Sequence, residues 1–236
     1  MTIIRDLIAW FTDPAHWAGS NGIPVRLGEH VVFSVLAVAL AVAVALPAGL
    51  AIGHTGRWER IATAVAGLGR AVPSYALLIL FVPVLGLGFS SALPALVLLG
   101  IPPILVNTVA GIRGTDPEAV DAGRGMGMTE FEVLVEVELP AALPAIIAGL
   151  RTSAVQVVAT ATLAALVAGG GLGRYIVDGF ALRQDDRILA GAILVALLAL
   201  GTERAFTWAQ RRFEHRSGRP AVDAWRPAAS AGWPGF

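Results

Sequence analysis

One short stretch of the sequence carries hydroxyl and amide side chains at helical spacing inside an otherwise apolar run. Thr152, Gln156 and Thr160 recur every four residues and so share a helix face, and Ser153 lies beside them. Polar groups in a hydrocarbon environment are costly and usually face protein or water. The pattern predicts either the wall of a path for a hydrated solute or hydrogen bonds between neighbouring helices. The residue types alone leave both interpretations open.

Two further polar side chains lie in other apolar segments. Asn107 follows Pro102 and Pro103, and this proline pair predicts a kink in its helix. Tyr75 could hold a quaternary ammonium group by a cation–π contact, or it could pack against neighbouring apolar side chains. We take both as candidates for the same solute path.

Two absences restrict the chemistry that this chain can perform. All 17 basic residues of the 236 are Arg, so a P-loop lysine and a Schiff-base lysine are excluded. The chain has no Cys, which excludes thiolate nucleophiles and zinc thiolates. The four His show no metal-ligand spacing, and neither HExxH nor GxSxG occurs. We therefore expect a non-enzyme with no catalytic residue, no metal and no cofactor, so that any ATP is bound by another chain.

The composition predicts an all-α membrane protein. Hydrophobic residues make up 56% of the chain and charged residues 14%, with a mean hydropathy of +0.72. A soluble fold could not bury so much apolar surface, and no basic patch suggests nucleic acid as a partner. Runs long enough to cross a bilayer predict five spans, at residues 31–53, 61–85, 92–112, 145–168 and 188–208.

The regions outside the spans have separate predicted roles. Residues 1–30 are predicted to form an interfacial helix and loop, with Trp10 and Trp17 at the depth of the lipid headgroups. Residues 209–236 predict a disordered cytoplasmic tail, rich in Pro, Gly and Ala. Arginines after the fifth span place the C-terminus in the cytoplasm and the N-terminus outside. The segment Gly169–Gly173 then predicts a flexible linker on the outer face.

The segment of residues 113–140, between the third and fourth spans, is predicted to be cytoplasmic. Thr115 or Asp116 can cap a helix that starts with Pro117, and Gly125 and Gly127 would end it. Thr129 and Glu132 have the spacing of a capping box and predict a second short helix. Pro140 and Pro144 mark the return to the membrane. The segment therefore predicts two short helices joined by a sharp glycine corner, a shape suited to docking on a partner.

This segment resembles the EAA loop of ABC-importer permeases, which reads Glu-Ala-Ala, three residues, Gly, nine residues, Ile, any residue, Leu-Pro. Both gap lengths are kept, with Asp for Glu, Gly for the second Ala and Val for Ile. The matching positions are Asp121, Ala122, Gly123, Gly127, Val137, Leu139 and Pro140. Other segments, such as GRAVPSYALL and AGLRTSAVQVVATATLAALVAGGGLGRYIVDG, resemble the osmoprotectant subfamily, which imports glycine betaine, choline and carnitine. That resemblance covers about Pro24 to Trp208.

The resemblance implies a type I importer permease in the cell membrane that works with partners. The EAA loop would lie in a cleft of a cytoplasmic ATPase dimer, which binds ATP and Mg²⁺. A second permease, identical or homologous, would complete the membrane part, and an extracytoplasmic solute-binding protein would dock outside. Asp178, Asp185 and Asp186 could pair with basic residues of that protein, or they could form a solvated cluster.

Two other functions remain open at this point. The chain could be an ABC permease for another small polar solute such as an amino acid. An ion-coupled secondary carrier is disfavoured, because the centres of the predicted spans lack the Asp, Glu or His of a proton relay and the sequence shows no matching halves.

Overall fold

The computed structural model describes residues 2–60, 62, 64, 67 and 72–216, and every regular element among them is helical. This confirms the predicted all-α class. The main helices are α1 (Thr2–Thr12), α2 (Ile23–Thr55), α3 (Ser74–Leu85), α4 (Phe89–Arg113), α5 (Pro117–Gly125), α6 (Glu130–Val167), α7 (Gly173–Leu182) and α8 (Asp185–Arg216).

Four of these helices, α2, α4, α6 and α8, are long and apolar enough to cross a bilayer. The apolar helix α3 has 12 residues and corresponds to the second half of the predicted second span. The predicted start of that span, at Ile61, lies outside the described residues. The count of five spans and the orientation of the bundle therefore stay predictions.

The central helix of the bundle is α4, which packs against α2 on one side, α6 on another, and α3. Helix α2 meets α4 through small side chains. Its buried positions Ala37, Ala41, Ala45, Gly49 and Gly53 recur every four residues along one face. Such a stripe lets two helix backbones approach closely. Because lipid tails are as apolar as the side chains, membrane helices associate mainly through this close van der Waals packing.

The approach between α2 and α4 is close enough to require glycine. A Cβ atom on Gly49 would lie 2.7 Å from Cβ of Thr108, and one on Gly53 would lie 2.7 Å from Cβ of Ile112. Both distances are shorter than real Cβ contacts, so any larger side chain would push the helices apart. Two glycines four residues apart thus set the spacing at this end of the bundle.

The helix after the glycine corner is continuous with the fourth span, so the prediction of a separate second short helix was wrong. Helix α6 runs from Glu130 through a π turn at Val133–Glu138 and an α-helical stretch at Leu139–Thr160 to a 3₁₀ turn ending at Val167. In a regular helix the ring of Pro140 would clash with the carbonyl four residues earlier. The wider π turn carries the chain past that proline, so the helix does not end there.

Two other predicted boundaries differ from the structure because polar residues continue the helices. Helix α2 begins at Ile23 rather than residue 31, since Arg26 and Glu29 within its first turns pair with each other at 2.8 Å. Helix α8 continues to Arg216, so the predicted tail from residue 209 starts too early. Residues 217–236 lie outside the described part of the chain.

The N-terminal helix α1 packs on α8 and contributes Trp10 to a cluster of rings. Trp10 is buried, stacks on His16 with ring centroids 4.2 Å apart, and meets the edge of Tyr175 at 5.3 Å. The placement of Trp10 at the depth of the lipid headgroups stays a prediction, and the structure adds protein partners for the ring. Trp17 is 50% exposed and donates from Nε1 to the Phe11 carbonyl at 2.8 Å.

Candidate functional site: a glycine corner and a polar helix face

The corner between α5 and α6 is built by local hydrogen bonds that the sequence predicted. Asp116 caps α5 by accepting the backbone N–H of Glu118 at 3.0 Å, with Pro117 in the first turn. Thr129 and Glu132 form the predicted capping box at the start of α6. Between them, Gly127 has a φ of +85°, a left-handed conformation that strains any residue with a Cβ atom. The corner is therefore specified residue by residue.

The inside of the corner is packed around Gly123, one of the three departures from the EAA pattern. Gly123 is buried, and a Cβ there would lie 3.2 Å from the Met128 sulfur and 3.5 Å from a methyl group of Val137. The backbone N–H of Met128 also donates to the Gly123 carbonyl at 3.2 Å. In this chain Gly123 allows α5 to pack closely against the start of α6, because it has no side chain.

The outside of the corner presents mixed polar and apolar groups. Asp121 and Ala122 are exposed on α5, and Met126 and Phe131 are each 73% exposed. Of the seven predicted coupling residues, Asp121, Ala122 and Gly127 form the exposed part. The other four, which pack or turn the chain behind it, are Gly123, Val137, Leu139 and Pro140.

A chain of ion pairs connects this corner to the end of α2. Arg124 forms two hydrogen bonds to Glu130, at 3.0 and 2.9 Å, and this carboxylate raises the pKa of the Arg124 guanidinium. Glu130 in turn lies 3.3 Å from Nε2 of His54, and Nδ1 of the same ring lies 2.6 Å from Glu138. Helices α5, α6 and α2 thus share one network of ionisable side chains.

A polar cavity of about 240 Å³ adjoins this network between α5 and the ends of α2 and α4. It is lined by charged side chains, including Arg113, Asp121 and Glu138. The hydroxyl of Thr115 at its edge is buried and has no hydrogen-bond partner among the described residues. The corner is therefore not packed solidly against the membrane helices.

The polar face of α6 forms hydrogen bonds between helices. Ser153 Oγ donates to the carbonyl of Gly100 at 2.8 Å, and Gln156 Nε2 donates to that of Leu99 at 3.3 Å. Residue 103 is a proline, so it has no N–H to donate to the Leu99 carbonyl four residues earlier. Gln156 supplies the missing donor, as neighbouring side chains do where prolines interrupt membrane helices.

The other predicted path residues bond within their own helices. Thr152 donates to Ala148 at 2.9 Å and Thr160 to Gln156 at 2.7 Å. Asn107 donates to Pro103 at 2.8 Å. Tyr75 is 48% exposed on α3. Their assignment to a solute path stays a prediction, and Ser153 and Gln156 have an interhelical role in the structure.

At the other end of the bundle, the glycine segment is held against α2, so the prediction of a flexible linker was wrong. The backbone N–H of Gly171 donates to Glu29 at 2.8 Å, and that of Leu172 donates to His30 Nδ1 at 3.3 Å. His30 Nε2 lies 2.9 Å from the Val158 carbonyl. Because Nδ1 accepts, Nε2 must carry the proton, and the ring is neutral.

The predicted docking carboxylates differ in their surroundings. Asp178 pairs with Arg174 at 2.6 Å and with Arg187 at 3.0 Å, so its charge is already compensated within the chain. Asp185 is exposed and Asp186 half-buried in the first turn of α8. Nearby, burial raises the pKa of the Tyr175 hydroxyl, which donates to the Asn21 carbonyl at 2.7 Å.

The sequence reasoning missed both polar clusters that involve α2. Glu29, His30 and His54 flank an apolar run and the histidines lack metal-ligand spacing, so no cluster was predicted there. Glu138 occupies the unrestricted position of the EAA pattern and so drew no attention. A histidine at each end of one apolar run was the available signal, but its partners lie far away in the sequence.

Comparison with known proteins agrees with this architecture. Residues 31–215 match the family described as binding-protein-dependent transport system inner membrane component. The chain is 38% identical to the carnitine transport permease protein OpuCB of Listeria monocytogenes, over 91% of this chain and 96% of that protein. It is 39% identical to the glycine betaine/carnitine/choline permease protein OpuCB of Bacillus subtilis, over 74% and 81% of the two chains.

Solved structures share the fold. A chain of the inward-facing MetNI methionine ABC transporter superposes with a TM-score of 0.73 at 20% identity, covering 88% of this chain and all of that one. A chain of an amino acid ABC transporter with histidines gives a TM-score of 0.62 at 20% identity, over 82% and 93%. The fold is that of a type I ABC-importer permease. The chain is a multi-pass protein of the cell membrane and belongs to the family of binding-protein-dependent transport system inner membrane components.

Proposed function

We propose that this chain is the permease subunit of an ABC importer that carries quaternary-amine osmoprotectants such as glycine betaine, choline and carnitine. The relatives named for these solutes support the substrate class, since one of them aligns over 96% of its own length. The observation that carries the role is the corner at α5 and α6, which exposes Asp121 and Ala122 at one end of the bundle.

The corner has the properties of a contact surface for an ATPase. Its caps and the left-handed Gly127 hold it in one shape, and its exposed face offers a carboxylate beside the apolar side chains of Met126 and Phe131. In our proposal an ATPase dimer binds ATP and Mg²⁺ and displaces the corner when it closes. This chain contributes no catalytic group and moves its helices in response.

The remaining partners follow from the same proposal. A second permease, identical or homologous, would complete the path, and a solute-binding protein would deliver the amine at the opposite end. Asp185 and Asp186 are the carboxylates that suit its basic residues, because Asp178 is paired within the chain. The polar groups on α6 would then line or brace the path.

The test is purification of the tagged chain from its own membranes in mild detergent, with identification of every protein that accompanies it. A P-loop ATPase and a co-purified or co-encoded binding protein are expected, and the ligand of that binding protein should be a quaternary amine. An amino acid ligand would instead support the alternative solute class. A chain that purifies alone and transports solute in liposomes without ATPase would contradict the proposal.

Two variants connect the corner to transport. Asp121→Arg reverses the exposed charge, and Gly127→Pro cannot adopt the required positive φ because proline holds φ near about −65°. Both are expected to abolish uptake while the protein stays in the membrane. Glu203→Gln, which removes a carboxylate 3.5 Å from Arg151 outside the corner, serves as the control. Normal uptake by both corner variants would overturn the coupling role.

A further inference from the structure

The last turn of α2 is joined to the corner by one histidine. His54 lies on α2, Glu130 at the first turn of α6, and Glu138 in the π turn of α6. The two ring nitrogens face two different carboxylates, at 3.3 Å from Glu130 and 2.6 Å from Glu138. The side chain of His54 therefore connects α2 to two points in the N-terminal part of α6.

The ring of His54 has a different contact at each nitrogen. Nδ1 lies at hydrogen-bond distance from Glu138, 2.6 Å, and an ionised carboxylate only accepts, so Nδ1 is the donor. Nε2 lies 3.3 Å from Glu130, which also contacts Arg124, so one chain of contacts runs from Arg124 to Glu138. The other charged groups on the adjoining cavity are Arg113 and Asp121, which lie on α4 and α5.

Burial makes it unfavourable to separate Glu138 from His54. Glu138 is 6% exposed, and the side chain of His54 is 13% exposed. A buried charge that loses its partner is strongly unfavourable, so the two groups are expected to move together rather than separate. By contrast, Arg124 and Glu130 are exposed, and their pair can adjust when a partner protein docks.

The local backbone allows this end of α6 to move. The π turn and Pro140 interrupt the regular helix between the corner and the span, and the cavity beside Thr115 leaves room behind α5. Helix α2 is a continuous helix of 33 residues that contains Pro47, and its other end contacts the glycine segment through Glu29 and His30. A displacement of the corner thus has a side-chain connection to a long helix that reaches the opposite end of the bundle.

We infer that His54 and Glu138 are positioning residues that transmit displacement of the corner to the first membrane helix. This inference rests on the proposed function, in which an ATPase moves the corner. In this role the two residues act through α2 and need no contact with nucleotide or solute. Their loss is expected to separate ATP hydrolysis from solute movement.

The experiment uses the complete transporter, with its ATPase and binding protein, in liposomes. Uptake of glycine betaine and release of phosphate are measured together for wild type, His54→Gln, Glu138→Gln and the control Glu203→Gln. We expect the His54 and Glu138 variants to assemble and hydrolyse ATP, with uptake per ATP lowered at least about fivefold, the lower end of typical coupling between two sites. The control should keep the wild-type ratio.

A substitution that supplies several donors provides a second readout. His54→Arg carries a fork of N–H donors that suits two carboxylates, so it is expected to recover most of the uptake per ATP that His54→Gln loses. A purely structural contact would give a different result, because the larger Arg side chain would disturb the packing further.

Each result has one meaning. Wild-type uptake per ATP in both His54→Gln and Glu138→Gln overturns the inference, and so does a proportional loss of uptake and hydrolysis. Variants that no longer bind the ATPase also overturn it, in favour of a static brace. If the wild-type chain itself binds no ATPase, the proposed function fails, and the inference fails with it.

Discussion

His30 and Leu172 lie 142 positions apart in the sequence, yet the backbone N–H of Leu172 donates a hydrogen bond to His30 Nδ1 at 3.3 Å. The other ring nitrogen faces the carbonyl of Val158 on α6 at 2.9 Å. One buried imidazole thereby joins α2, α6 and the glycine segment that precedes α7. This contact makes the segment a fixed part of the bundle end that we predict to face outward.

Removal of this imidazole is expected to destabilise the protein. His30 has no exposed surface, and His30→Ala removes the acceptor of the Leu172 N–H and a hydrogen bond to the Val158 carbonyl. A buried donor left unpaired costs about 1–3 kcal/mol. The measurement is thermal unfolding in detergent, with Val32→Ala as the control, because Val32 is 59% exposed on the same helix. Equal melting temperatures for the two variants would show that the contact contributes little.

Two glycines of α2 are expected to respond to alanine in opposite directions. Gly53→Ala places a Cβ 2.7 Å from Ile112, so overpacking of about 1–3 kcal/mol should exceed the gain in helix propensity. Gly28 has no atom within 4 Å of an added Cβ, so Gly28→Ala should stabilise by roughly 0.4–1 kcal/mol. Melting temperatures of the pair check the sign of each effect. Stabilisation by Gly53→Ala would contradict the close packing of α2 on α4.

Gln156 is expected to contribute to stability because Pro103 leaves the Leu99 carbonyl without a helical donor. Gln156→Leu leaves the Leu99 carbonyl without its donor, at a cost of about 0.5–1.5 kcal/mol. In a Pro103→Ala background, the N–H of residue 103 can serve that carbonyl, so the same change should cost less. A double-mutant cycle of unfolding free energies measures the difference. If the two changes in unfolding free energy add strictly, Gln156 does not compensate for Pro103.

Transport assays on the same face separate the bracing role from a solute path. Thr152 is exposed and Ser153 buried, although they are neighbours on α6. If the face lines the path, Thr152→Val should raise the KM for glycine betaine with little change in stability. Ser153→Ala should mainly lower the melting temperature, because its hydroxyl bonds the Gly100 carbonyl at 2.8 Å. An unchanged KM for Thr152→Val would remove that residue from the path.

The outer carboxylates are expected to divide into structural and docking residues. Asp178→Asn weakens the pairs with Arg174 and Arg187 and should lower stability. Asp185→Arg reverses an exposed charge and should weaken stimulation of uptake by the binding protein, most clearly at low salt. Titration of the binding protein against liposome uptake tests this. The docking assignment fails if Asp185→Arg needs no more binding protein than wild type does.

The features that the sequence determined by itself are those specified within a few residues. The cap at Asp116, the capping box of Thr129 and Glu132 and the left-handed corner at Gly127 depend on neighbours in the chain, and the structure contains each of them. The apolar runs likewise predicted α4 nearly to its ends. Helix propensity, capping and transfer to an apolar solvent are local quantities, so one sequence suffices to evaluate them.

Only the tertiary structure decided where the polar side chains find partners. Glu29, outside the apolar run of α2, accepts a hydrogen bond from the Gly171 N–H, and Gln156 donates to a carbonyl on α4. His54 joins α2 to a glutamate 84 positions away. In a membrane helix the burial of a polar group is favourable only when a distant element supplies its hydrogen bond or countercharge. That pairing depends on how the helices pack, which no local pattern in this chain contains.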